Sequence, residues 1–397
     1  MTARALAGAL ALFTFWGTGP AHGDPADIFS VGAPAIGSAP PKAADVHDGD
    51  ASVSATGALE FSYPITVPPG RHGMQPSIAL SYSSQGPIYG TVAAGWSLSG
   101  IPAITLDTSR GRLWATAFQP RAKEYKSGLA GDRPLVWVTE SSPAGTASAR
   151  AQNDATFVRY QRNGVDGSFQ WWRALSPDGT TYYFGGTPDS NSHFPGCSTI
   201  SDENAPLAQM RDSFNNIVDY YYEAGVDGEC RISHIDWGRN DGAGVASFDT
   251  VAFHYSSAPP SCAGVTVGSQ SSYRTGTKIA TGASQLDSIV TSVGTPAEYT
   301  RTYTLTYDAA TASSTLAACF RQLDSIQMSA SGTNLTAVTL PAVKFGYGPT
   351  TFAQSPTAAA IQWPSSSAQS LPWTTLETSI TGNVRYNLGW GFRFDSN

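Results

Sequence analysis

Apolar and polar residues alternate along most of this chain with a period of two. Leu59, Phe61, Tyr63, Ile65 and Val67 recur between Glu60, Ser62, Pro64 and Thr66. That spacing places the large side chains on one face of a strand. Pro64 has no N–H to give to a ladder, so this strand lies at an edge or bulges there. Ile78, Leu80 and Tyr82 begin a second strand on the same pattern. The pattern returns at Val158/Tyr160, Phe169/Trp171, Tyr182/Phe184, Val218/Tyr220/Tyr222 and Val251/Phe253/Tyr255, and in a run from Tyr299 to Tyr307. Turn clusters such as SPDGT, RDSFNN and GRNDGAG separate these runs, and no amphipathic helical pattern lasts beyond two turns. Short strands with regular turn signals predict an all-β chain, an extended antiparallel sheet or shell of stacked β-hairpins with little helix.

Two stretches opening on LDSI, at Leu286 and Leu323, repeat one unit of strand, Gly-containing turn and strand. CRISHIDWG from Cys230, followed by FDTVAFHY, is a looser copy. Such self-similarity predicts hairpins that bury their faces on one another. Between the first two strands stands VPPGRHGMQP. Here Pro68 and Pro69 stiffen the exit, Gly70 and Gly73 provide backbone freedom, and Pro76 sets the entry to the next strand. Arg71 and His72 form the tip, read as a solvated turn. In GWSLSG, Gly95 flanks a turn that Trp96 anchors in the core.

Composition narrows the picture. Only 13% of the 397 residues are charged, and the net charge of −7 is spread without runs, which excludes a clustered nucleic-acid footprint. Residues 1–23 read as a signal peptide: Arg4, the apolar stretch ALAGALALFTFWG, and AHG before Asp24. An uncleaved anchor is the alternative. Residues 24–56, rich in Pro, Ala, Gly and Asp, read as a flexible leader. Export favours disulfides among the four cysteines, Cys197, Cys230, Cys262 and Cys319. Three connectivities are open; the sequential one, Cys197–Cys230 with Cys262–Cys319, is favoured.

Candidate chemistry is sparse, and no catalytic, cofactor or metal residues are assigned. Ser97 lacks the second Gly of G-x-S-x-G and a following helix. His234 and Asp236 share a strand face, with Ser233 expected to point away. Asp45, Asp48 and Asp50 lack the order of a calcium loop. Trp and Tyr could stack on sugars, but packing explains them as well, and FQWWRAL should send one Trp to each side of its sheet.

The stretch FSYPITVPPGRHGMQPSIALSYSSQGPIYGTVAAGWSLSGIPAITL resembles the start of the Salmonella virulence plasmid B protein family, also found at the N-terminus of insecticidal toxin complex B components. WWRALSPDGTTYYFGG and LAQMRDSFNNIVDYYYE resemble elements of these proteins and of Rhs/YD-repeat proteins, with Asn215 in place of a Gly. The resemblance covers about residues 57–350. It implies a secreted, non-enzymatic β-scaffold, the N-terminal part of an encapsulating shell whose partners are other shell segments and a C-terminal effector cargo. Residues 351–397 would then be a linker and the truncated start of a β-propeller. An extracellular carbohydrate- or surface-binding β-module is the alternative.

Overall fold

A computed structural model describes residues 49–87, 92–109, 124–139, 146–165, 168–189, 191–256, 261–262, 265–266, 270–273, 278–294, 296–307, 321–333 and 335–347. Residues 1–23, read from sequence as a signal peptide, most of the stretch read as a leader, and residues 351–397 lie outside them. The chain is all-β: its described helical turns are three short 3-10 turns.

Strands β1 (Asp50–Val53), β2 (Leu59–Ile65), β3 (Ile78–Ser83) and β4 (Trp96–Ser99) form a four-stranded antiparallel sheet in sequence order. Strand β1 falls within the stretch that composition marks as leader. It pairs with β2 from Asp50↔Ser62 to Val53↔Leu59, so backbone pairing orders a segment that has little apolar surface of its own. Pro64 lies beyond the reach of β1, at an edge, where its missing N–H costs no ladder bond.

The next eight strands are β5 (Ala103–Leu106), β6 (Tyr125–Ser127), β7 (Arg133–Thr139), β8 (Thr146–Ala151), β9 (Arg159–Val165), β10 (Ser168–Leu175), β11 (Thr181–Phe184) and β12 (Asn204–Arg211). Each pairs with the next, and β12 returns to pair with β5 at positions 204–206. An up-and-down barrel results, whose interior side chains alone fill. Tyr125, Tyr160 and Trp172 are fully buried, and the Tyr125 and Trp172 rings meet edge-on at 4.9 Å. A bulge between Phe169 and Trp171 resets the alternation expected from sequence. Trp172 and Ala174 therefore point inward, while Trp171 stays on the outer wall. Arg162 is buried with them and bonds the Asp202 carboxylate at 3.1 Å, which also accepts from the Tyr125 hydroxyl at 2.6 Å.

At positions 209–211, β12 runs past β5 and pairs instead with β13 (Asn216–Ala224). The sheet thereby leaves the barrel and continues through β14 (Cys230–Asn240) and β15 (Asp249–Ser256). Two minor hairpins follow, β16 (Ser261–Cys262) with β17 (Val265–Thr266), and β18 (Gln270–Ser272) with β19 (Ile279–Thr281). The main sheet resumes with β20 (Gln285–Val293), β21 (Tyr299–Tyr307) and β22 (Leu323–Gly332), and ends with β23 (Leu335–Thr339) and β24 (Val343–Lys344), both on β22. The two LDSI units are the hairpins β20–β21 and β22–β23, with Leu286, Ile289, Leu323 and Ile326 buried at equivalent places. The looser copy is the hairpin β14–β15, adjacent to them in the sheet.

Turn chemistry sets two of the hairpins that carry the resemblance. In SPDGT, the Asp178 carboxylate accepts the Thr180 N–H at 2.8 Å, and Gly179 takes φ +88°. That backbone bond holds the Asp178 carboxyl below its ordinary range. In RDSFNN, Asp212 accepts the N–H groups of Phe214 and Asn216, and Asn215 takes φ +64°. Asn is the residue that best stands in for Gly in left-handed backbone, which accounts for its presence here.

Candidate functional site

The segment with the most specific sequence, residues 63–100, forms β2–β4 and their connections. Its connection opens on Pro68 and Pro69 and closes on the buried Pro76. Gly70 has φ −82°, which any residue adopts, so backbone freedom is not why glycine stands there. A Cβ on Gly70 would lie 1.9 Å from the Met74 carbonyl oxygen; the requirement is close approach of two backbone segments. Gly73, at φ +78°, does need its left-handed freedom. The Gln75 side-chain oxygen accepts the Gly70 N–H at 3.0 Å and closes the loop.

The tip is exposed, but water is not its only contact. His72 stacks on Phe214 with ring centroids 4.9 Å apart, and Arg71 lies over Phe248 at 5.7 Å. Phe214 belongs to the β12–β13 turn, and Phe248 precedes β15. His72 holds φ +53° in doing so. The partners lie more than 140 positions away, so nothing local in the sequence announces this contact.

Below the tip, the four-stranded sheet packs on the far end of the open sheet. Gly95 takes φ +74° and turns the chain into β4, where Trp96 is 1% exposed. The Trp96 indole donates to the Tyr347 hydroxyl at 2.8 Å, and Tyr347 donates on to the Leu323 carbonyl. Phe345 packs edge-on against Trp96 at 4.7 Å and Phe61 at 5.6 Å. Tyr303 of β21 crosses Tyr63 and accepts the Thr66 N–H at 3.0 Å. Arg321, buried beside these contacts, donates to the carbonyls of Ser284 and Gly282, and its own carbonyl accepts the Ala94 N–H. Of the signature residues, Gly95 and Trp96 build this contact, while Pro68, Pro69, Gly70, Gly73 and Pro76 bound the connection whose tip meets Phe214 and Phe248.

A polar cluster lies where the barrel meets the open sheet. Asp219 is 1% exposed; Gln209 donates to it at 2.8 Å, and Arg239 lies 2.7 Å away. Burial lifts its carboxyl above the ordinary range. His193 is buried 4.0 Å from Asp219, with Nδ1 3.0 Å from the Tyr220 carbonyl. Its ring stacks on Tyr221, which stacks in turn on His234. Burial pushes the Tyr221 phenol up to about 12. Cys197 and Cys230 are bonded, with Cα atoms 5.3 Å apart, and join the β11–β12 connection to the start of β14. Cys319 lies outside the described residues, and with it the second pairing.

The catalytic candidates separate. Ser97 is exposed in mid-strand, and strand β5 follows where a nucleophile elbow requires a helix. Ser233 does not point away from His234: a bulge opposite Tyr221 and Tyr222 brings its hydroxyl to 3.2 Å from His234 Nδ1. Asp236 stands 4.0 Å from Nε2, beyond hydrogen-bond reach, so it does not fix the ring as a triad carboxylate would. Among the described residues no three metal-capable side chains converge. Asp45 and Asp48 lie outside them.

Comparison with known proteins agrees with this geometry. Residues 53–112 match the family model described as Salmonella virulence plasmid 65kDa B protein. No curated protein matches the chain in sequence. Among solved structures, the crystal structure of TcdB2-TccC3 superimposes with a TM-score of 0.56 at 16% identity, over 76% of this chain and 17% of that one. The crystal structure of TcdB2-TccC3-Cdc42 gives 0.55 at 16% identity, over 73% and 16%. The N-terminal domain of effector protein SpvB from Salmonella typhimurium strain LT2 gives only 0.42 at 14% identity, over 72% and 99%. This chain therefore spans about a sixth of the length of the TcdB2-TccC3 chain it matches. In residues 53–112 it resembles the virulence plasmid B family, and it shares its fold with part of TcdB2-TccC3.

Proposed function

We propose that the chain is a secreted, non-enzymatic scaffold, the N-terminal part of a toxin-complex or Rhs-type shell that continues into further sheet and surrounds an effector. The observation that carries this reading is the cap. Most of the segment matched by the family model, up to Gly100, joins the four-stranded sheet to the open one through contacts with Tyr347 and Tyr303, and its β5 then enters the barrel. The shared fold with part of a much longer toxin-complex chain supports it. Export through residues 1–23, a leader that ends where β1 begins at Asp50, a scaffold from there to about residue 350 and the start of a propeller beyond belong to the same proposal. So do partnership with other shell segments and the absence of cofactors.

Among the described residues, Trp96, Trp172 and Trp237 are fully buried and so out of reach of a sugar, while Trp137 and Trp171 are half-buried. The test is co-expression of this chain with the polypeptide encoded downstream of Asn397, as two separate products. A shell segment co-elutes with that product as one particle. Separate elution, with no sheet-forming repeats encoded downstream, would reject the proposal.

A further inference from the structure

The outer wall of the barrel carries groups that neither its packing nor the scaffold reading uses. Its eight strands contain six Arg, one Lys and no Asp or Glu, in a chain of net charge −7; of these seven, Arg162 points into the barrel on Asp202, Lys126 pairs with Asp132 and Arg211 with Asp241. The open-sheet strands contain six carboxylates and four Lys or Arg. Tyr160, Trp172 and Ala174 point inward, so alternation turns Arg159 and Arg173 outward. Arg150 faces out beside its cross-strand partner Val136. Among the described residues, none of these three arginines lies within 4 Å of a carboxylate, although Arg150 acts on the Asp154 carboxyl at longer range. Arg150 donates to the Phe157 carbonyl at 3.3 Å, and Arg173 donates to Gln161.

Apolar side chains sit among them. Val136 and Val138 are 52% and 64% exposed. Phe157 is 68% exposed and holds φ +55°. A bulky residue in left-handed backbone is strained, and an exposed one gains little packing in return.

We propose that this wall, formed by Arg150, Arg159, Arg173, Val136, Val138 and Phe157, docks a partner polypeptide whose surface interleaves carboxylates with apolar side chains. The arginine fork matches a carboxylate in two-point geometry. Arginine with exposed aromatic and aliphatic groups is the composition of a protein interface. A single-strand nucleic-acid site lines a cationic groove with successive stacking aromatics, whereas this patch has one such ring, Phe157, and two valines that offer no stacking face. The proposal rests on the side chains of the barrel wall and stands or falls independently of the scaffold reading.

The experiment measures binding of the full chain, by fluorescence anisotropy, to three labelled probes. These are a short peptide alternating Glu with Leu and Phe, its Gln analogue, and a single-stranded oligonucleotide of similar length. The acidic peptide binds, weakens with salt, and loses about tenfold or more in affinity against the triple variant R150E/R159E/R173E. The Gln analogue and the oligonucleotide bind at least as weakly as that variant binds the acidic peptide. Phe157→Gly relieves the positive φ, so it melts no lower than the parent chain yet binds the peptide less tightly. Equal binding by a folded triple variant, equal binding by Phe157→Gly, or equal affinity for the oligonucleotide would each overturn the proposal.

Discussion

The barrel and the open sheet solve one problem in two ways. Every β-sheet has edges whose unpaired N–H and C=O groups invite other strands. The barrel removes its edges by closing β12 onto β5, and it fills its interior with its own Tyr125, Tyr160 and Trp172. The open sheet keeps an edge at β23 and β24 and borrows its cover from residues more than 200 positions earlier, through Trp96, Phe61 and Tyr63. The first region is self-sufficient, and the second depends on the signature segment. A family signature can therefore record an assembly contact as readily as a catalytic one.

Several substitutions would sharpen or break that contrast. Trp96→Ala empties a fully buried site and leaves Tyr347 without its indole donor, so it should cost about 3–5 kcal/mol, read from denaturant melts. Arg162→Met removes the cation that balances the buried Asp202 carboxylate and should cost a similar amount, about 3–5 kcal/mol. Restoring neutrality with Asp202→Asn in that background should recover part of the loss. The two effects should be local: the first loosens the open sheet, the second the barrel.

Replacing Cys197 and Cys230 together by Ser opens a loop with a sequence separation of 33 residues and should cost roughly 2–4 kcal/mol. Because that bond ties the two regions together, calorimetry of the variant should show two transitions where the parent shows one. Gly70→Ala drives a methyl into the Met74 carbonyl and should cost about 1–3 kcal/mol. Gly73→Asn meets open space and keeps left-handed backbone, so it should cost less.

The smallest effect is one of pH. Asp219 has a carboxyl lifted by burial above its ordinary value of 3.8. Between that value and its folded pKa the native state holds the extra proton, so its contribution to stability falls as pH rises through this window. Thermal melts should show a steeper decline across the window for the parent than for Asp219→Asn. Equal slopes would remove Asp219 from the account.

Strand content was legible because period-two alternation is local. Leu286/Ile289 and Leu323/Ile326 announced their hairpins, and SPDGT and RDSFNN announced their turns. Barrel closure was not legible, since it depends on β5 meeting β12 about 100 residues away, with no mark in either strand. Bulges were also hidden: one inserted residue put Trp172 inside the barrel and brought Ser233 beside His234. At Gly70 sequence identified the residue but not its reason, because a close approach to Met74 looks the same in sequence as a need for positive φ. The cap itself was invisible, as Trp96 and Tyr347 are separated by 251 positions.

The most direct test is residue-resolved hydrogen exchange on the parent chain and on Trp96→Ala. The account predicts that β20, β21 and β22 lose protection in the variant while β6 to β10 keep theirs. Equal loss in both regions, or none in β20 to β22, would contradict the claim that the signature segment serves to cap the open sheet.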